Sequence, residues 1–215
     1  MRTIAAIAMA ALLVACGDDD DGNGGGGNDI RLTGTITATL TNGVSTLLSG
    51  TCSDLGDTQI SAALVAVSTA SDLCAAYTSG REPANATTVV LTIAKFNVSG
   101  AATPLDAGSY AVLASGALPV PDLQGNVRLA FVAATRSGGP VTGQPFCAEL
   151  GGGVATGGSV TLTSATASTV SGTVSATLDD GTTVTGSFAA AACGAPVAID
   201  PATCEPTVPD TTSCG

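Results

Sequence analysis

The residues with the most chemistry to offer in this chain are its seven cysteines, and the sequence contains no histidine to work beside them. A thiolate can be alkylated, oxidised to a disulfide or bound to a metal, and its surroundings decide which. Cys16 stands apart from the others. It follows Met1, Arg2, an apolar run from Ile4 to Val14 and the small residue Ala15. A positive start, a short apolar core and a small residue before a cut form an export signal. A cysteine at the first position after that cut presents its sulfur for modification.

The other cysteines are Cys52, Cys74, Cys147, Cys193, Cys204 and Cys214. An even set in an exported chain implies a disulfide framework. Spacing suggests Cys204 with Cys214 as a local pair, and Cys147 with Cys193 if strand ends meet. No C-x-x-C pair occurs, so a redox dithiol or zinc ribbon has no motif behind it.

Without histidine, Ser-His and Cys-His nucleophile activation and the commonest zinc ligand are excluded. Asp54 and Asp57 flank Leu55-Gly56, and Asp179-Asp180 precede Gly181. Such acids can lend oxygens to calcium. Neither pair has the dense D-x-D-x-D spacing of a calcium loop, and acids beside glycine are ordinary turn chemistry. Paired carboxylates also serve glycosidases, but aromatic residues, which usually line such clefts, make up only 3% of the chain. The sequence therefore nominates no catalytic, cofactor-binding or metal-binding residue. Asn85-Ala86-Thr87 and Asn97-Val98-Ser99 match glycan acceptor sequons, read here as coincidence.

The run Leu13-Val14-Ala15-Cys16 resembles the bacterial lipobox. The resemblance implies cleavage between Ala15 and Cys16 and a diacylglycerol on the Cys16 sulfur. A transmembrane helix needs about 20 apolar residues, more than Ile4–Val14 supplies before Gly17 and the aspartates Asp18–Asp21. Residues 1–15 are thus read as a lipoprotein signal peptide and 16–29 as a lipidated cysteine with an acidic, glycine-rich tether. The tether lacks apolar residues and cannot offset the entropy of ordering. A glycine-rich coil of this length reaches roughly 20 Å. Gly17 after the cysteine implies, by the same resemblance, sorting to the outer membrane, on either of its faces.

The formal net charge is -11, with six Lys and Arg residues in the whole chain. No basic patch can assemble to hold phosphates, so nucleic acid is not expected as a partner. The expected partner is the membrane, through Cys16; an envelope protein or a small-molecule ligand is left open.

The elements that must carry these residues are strands. Leu32, Gly34, Ile36, Ala38 and Leu40 alternate with Thr33, Thr35, Thr37, Thr39 and Thr41, the period of a half-buried strand. Asn42-Gly43 is the favoured hairpin dipeptide, returning through Val44–Ser49. The pattern recurs at Ser159–Ala165, Val170–Leu178 and Thr182–Ala190, with Asp180-Gly181 as a second hairpin turn. Further strands are expected at Gln59–Val67, Thr88–Phe96, Ser109–Ala114 and Val127–Ala134. A short helix over Leu73–Tyr77 follows Ser71-Asp72 and ends by Gly80. Ser137–Gly158 reads as a long loop. The sum is an all-β domain over residues 30–193, an antiparallel β-sandwich or flattened β-barrel of about nine strands with at most one short helix, and a C-terminal tail over 194–215.

Gly34–Gly43 also echoes Gly172–Gly181, either as related hairpins of a pseudo-symmetric fold or as two hairpins built from the same Thr and Gly vocabulary. The threonines from Thr33 to Thr41 admit a flat hydroxyl array of the ice-binding kind, which Thr161 and Thr163 extend if the strands are neighbours. A solvated strand face of high β-propensity gives the same sequence.

Gly158–Thr163, Val170–Val174, Asp180-Gly181, Gly186-Ser187-Phe188 and Cys193 resemble the closing three-strand meander of uncharacterised outer-membrane lipoproteins of Gram-negative, myxobacteria-like bacteria. Asp72-Leu73-Cys74 and Ala107–Tyr110 are similar to that group as well. The resemblance implies a fold and a location and carries no activity. The expected function is a non-enzymatic, lipid-anchored envelope domain of structural or interaction type. A small-molecule or saccharide binder and a carboxylate-only hydrolase stand as alternatives.

Overall fold

In the computed structural model, residues 27–53, 57–98, 103–114, 126–193, 198–199, 206–207 and 213–215 are described. The signal segment, Cys16 and nearly all of the tether, Asp54 and Cys204 lie outside them. The strands are β1 (Asp29–Thr33), β2 (Ala38–Leu40), β3 (Asn42–Cys52), β4 (Thr58–Ser68), β5 (Arg81–Glu82), β6 (Thr87–Asn97) and β7 (Gly108–Val112). They continue with β8 (Asn126–Pro140), β9 (Cys147–Ala165), β10 (Thr169–Leu178), β11 (Thr183–Ala192), β12 (Ala198–Ile199), β13 (Pro206–Thr207) and β14 (Ser213–Cys214). One helix, α1 (Leu73–Thr78), interrupts them.

The all-β expectation is met by a 10-stranded sheet that curls back on itself. Pairing runs β3–β4–β6–β8–β9–β10–β11 and returns from β11 to β3, closing a flattened barrel. The pairs are antiparallel except for short parallel contacts of β7 with β8, β11 with β3 and β14 with β5. Closure joins β3 to β11 and leaves the short β2 as the edge beyond β1.

Alternation places one residue of each strand pair inside. Val65, Val67, Leu91, Ile93, Val160 and Phe188 are all at most 2% exposed and share one core. On β4 the intervening residues are buried too. Ile60, Leu64 and Ala66 face outward into a second apolar cluster with Leu48, Phe96 and Leu129, covered by Leu73 and Tyr77 of α1 and by Ile199. The barrel is therefore two layers thick along β3, β4 and β6.

Three local expectations are corrected. The alternating run from Leu32 to Leu40 is two strands, since Gly34 adopts φ +135 and the chain turns through residues 34–37 so that Ile30 pairs with Leu40. A Cβ at Gly34 would meet the Thr182 Cα at 2.9 Å, and that close approach is open only to glycine. Asn42-Gly43 is no hairpin turn but the start of β3, where Asn42 pairs with Ser68 and Gly43 with Val67. Asn28 fixes it there: its Nδ2 donates to the Thr41 carbonyl at 3.3 Å and its Oδ1 accepts from the Ala189 amide at 3.0 Å. Ser137–Gly158 is chiefly strand, since β8 and β9 run on as a long hairpin with bulges near Ser137 and a connection at residues 141–146.

The Asp180-Gly181 turn stands as expected, joining β10 to β11 with Gly181 at φ +84. Gly34–Gly43 and Gly172–Gly181, despite their sequence echo, form different structures: a broken β1–β2 hairpin running into β3, and a continuous strand with its turn.

Candidate functional site

Four of the cysteines form two disulfides, Cys74 with Cys193 and Cys147 with Cys214. Both differ from the pairings suggested by spacing. Cys214 is drawn to Cys147 because β14 pairs in parallel with β5, and the Glu82 carboxylate of β5 accepts the Cys147 amide proton at 3.0 Å. Cys193 reaches α1 because β11 ends beside β3, where the Cys193 amide donates to the Ser45 carbonyl at 2.8 Å. Cys52 is disulfide-bonded as well.

Of the acids named from sequence, Asp54 lies outside the described residues, and Asp179 and Asp180 accept hydrogen bonds from other protein groups. Asp179 Oδ1 accepts the Val154 amide at 3.1 Å, and Asp180 accepts both the amide and the hydroxyl of Thr182, at 2.8 and 3.0 Å. Asp57 holds a left-handed backbone at φ +60. Among the described residues no three His, Cys, Asp or Glu side chains gather as a metal site.

One ionic cluster had no forecast. Lys95 of β6 and Arg128 of β8, cross-strand partners, converge on Asp106 in the β6–β7 connection. Lys95 is 8% exposed. Arg128 also lies over the Tyr110 ring, 5.7 Å from its centre, and the Tyr110 hydroxyl donates to the Asp106 carbonyl at 2.9 Å. Desolvation pushes the Asp106 carboxyl up, but hydrogen bonds from Lys95 and Arg128 outweigh it and hold the group below its usual range. The sequence signal was a lysine set among the apolar residues Val89–Phe96. With two cations sharing one carboxylate, the cluster orders the connection and presents no general base.

The outward face of β9, β10, β11 and β1 is exposed and rich in Ser and Thr. Register sets Thr161 beside Thr173, then Ser187, then Asp29. The next row runs Ser159, Ser175, Thr185, Arg31 and Thr39. Thr161 lies opposite Thr173 and Ser109, but β9 does not neighbour β1 or β2, so Thr161 and Thr163 do not extend the Thr33–Thr41 run. The Thr33–Thr41 array does not form, because Thr35 donates to the Asp180 carbonyl and Thr37 to the Gly34 carbonyl inside the turn. The face is neutral apart from the solvent-exposed Asp29–Arg31 pair. It can hydrogen-bond along a row but holds no convergent group for catalysis.

A shallow depression of about 350 Å³ opens beside α1, with Asn28, Asn42, Gly43, Ser71, Asp72 and Cys74 in its lining. No family model, curated protein or solved structure matches this chain.

Proposed function

We propose that this chain is a lipid-anchored protein of the cell envelope, probed by its surroundings through contact and carrying out no chemistry of its own. The lipobox-like Leu13-Val14-Ala15-Cys16 carries the reading. A diacylated sulfur supplies two acyl chains, and two are what stable anchoring requires, at about 0.8 kcal/mol per buried methylene. The acidic tether from Gly17 to Asp29 then holds the domain clear of an anionic membrane surface. Its anchor point on the domain is Asn28, held by Thr41 and Ala189.

Support for contact over catalysis comes from the barrel interior and the carboxylates. Tyr110, Phe188 and Leu162 fill the space where a ligand of a barrel would sit. Asp179 Oδ1 is engaged by the Val154 amide of β9, and both Asp180 carboxylate oxygens are engaged by Thr182. The neutral Ser and Thr face is the surface we assign to contact with a structural partner in the envelope.

The depression beside α1 favours a second reading, a small-molecule or saccharide binder, since its volume is that of a small ligand site. Its lining mixes the polar Asn28, Thr41, Asn42, Ser71 and Asp72 with the apolar Val44 and Leu73 and has no aromatic platform.

Cell fractionation tests the proposal. Wild-type protein should sediment with membranes and Cys16→Ala should leave them for the soluble fraction. Membrane retention of Cys16→Ala would refute the anchor.

A further inference from the structure

Among the described residues, three large apolar side chains stand exposed: Leu47, Phe146 and Leu150. Two of them, at 47% and 59%, belong to the hairpin of β8 and β9. Leu150 and Ala148 lie together over Gly138, where a Cβ would meet each at 3.3 Å, and Phe146 is two positions nearer the tip. Cys147 and Glu149 alternate with these residues, so the one charged side chain of residues 137–150 falls in the opposite set. In a chain of net charge -11, this projection is apolar and carries a single acid. It is also stiff. The Asn85 amide donates to the Gly138 carbonyl at 2.9 Å, the Cys147 amide donates to the Glu82 carboxylate at 3.0 Å, and Cys147 is bridged to Cys214. A braced hairpin gives up little conformational freedom when its tip is bound.

Its position identifies what it meets. Asn42, Ser68, Thr88, Thr135 and Gly152 are successive cross-strand partners, a row that marks one end of the barrel. Asn28 is seated at that row, against Thr41 and Gly43, and the β8–β9 hairpin runs on beyond it. The segment that leads back to Cys16 therefore joins the barrel at the end from which the hairpin projects. We propose that Phe146 and Leu150 form a second membrane contact, seated at the headgroup level of the bilayer that holds the lipid on Cys16. The inference rests on the lipid anchor at Cys16. From Gly152 to Phe146 the hairpin spans six residues, at most about 20 Å at about 3.3 Å each. A glycine-rich coil of the tether's length reaches roughly 20 Å as well. The tip thus meets the surface while the acidic body stays clear of it. Apolar area taken out of water drives the contact. Two side chains alone would hold a bilayer weakly, but the anchor makes the contact intramolecular, at an effective concentration of roughly millimolar.

The chain has no tryptophan, so one introduced indole reports its own surroundings. Full-length Phe146→Trp, Leu150→Trp and, as a control on the hydroxyl face, Thr173→Trp are reconstituted into phosphatidylcholine vesicles with and without brominated acyl chains. Flotation of the same samples reads the anchor independently. Trp emission at positions 146 and 150 should shift to the blue on reconstitution and be quenched several-fold more by brominated lipid than emission at position 173. Floating vesicles with water-like, unquenched emission at 146 and 150 would overturn the hairpin contact and leave the anchor standing. A blue shift without lipid quenching would set the tip against protein, such as a second copy of this chain, and overturn the contact too. Protein that fails to float would overturn the anchor and the contact together.

Discussion

The Lys95 ammonium lies 3.2 Å from the Asp106 carboxylate, with the lysine nearly buried and the aspartate side chain 46% exposed. That contact ties the β6–β7 connection to the end of the barrel. It matters because Leu105 and Tyr110 on either side of Asp106 enter the inner core.

Replacing Asp106 by Asn should leave Lys95 buried beside Arg128 without a counter-charge. Breaking a fully buried pair costs about 3–5 kcal/mol, whereas exposed pairs contribute under about 1 kcal/mol. With one partner half in water, the expected loss is about 1–2 kcal/mol, read from urea unfolding at neutral pH. The same contact predicts a pH signature. The folded carboxyl titrates below its unfolded value of about 3.9, so its contribution is present above that value and lost as pH falls through the folded one. The gap between wild type and Asp106→Asn should hold constant from about pH 7 to pH 5 and shrink below about pH 4. A variant as stable as wild type across that range would remove the cluster from the account.

The alternation of β10 predicts opposite outcomes for neighbouring residues. Val174 is 3% exposed within the inner core and Thr173 is exposed in the hydroxyl row. Val174→Thr buries a hydroxyl without a partner and should cost about 1–3 kcal/mol. Thr173→Val should stay within about 0.5 kcal/mol of wild type. Equal effects in thermal unfolding would mean that the two faces have been exchanged.

How far this fold could be read from sequence varied with what else acted on each strand. β10 and β11 were legible because one face is buried and one wet, so Val170 to Leu178 alternate cleanly. The Gly34 break was hidden because its neighbours keep the period of two, while the turn is set by Thr182, far away in sequence. Asn42-Gly43 has the local chemistry of a hairpin, but register with Ser68 and Val67 overrides it. The glycines from Gly151 to Gly153 looked like loop, yet pairing with Ala134, Thr135 and Arg136 makes them strand. Lys95 and Asp106 lie 11 positions apart, a convergence no local pattern encodes.

Cystine connectivity was the least legible feature, since it depends on which strand ends meet. Non-reducing peptide mapping should recover Cys74 linked to Cys193 and Cys147 linked to Cys214. Cys52 is bridged too. With Cys16 acylated, Cys204 is the cysteine left to join it, so a Cys52–Cys204 peptide should complete the map. A Cys204–Cys214 peptide would contradict the fold at the β5–β14 pair.

The central claim is that Cys16 becomes the first residue and carries lipid. Intact-mass measurement on detergent-extracted protein tests it most directly. The account predicts a chain beginning at Cys16, heavier than its amino acids by a diacylglycerol thioether, with or without a further acyl chain. A chain retaining residues 1–15, or one cut elsewhere and free of lipid, would contradict it.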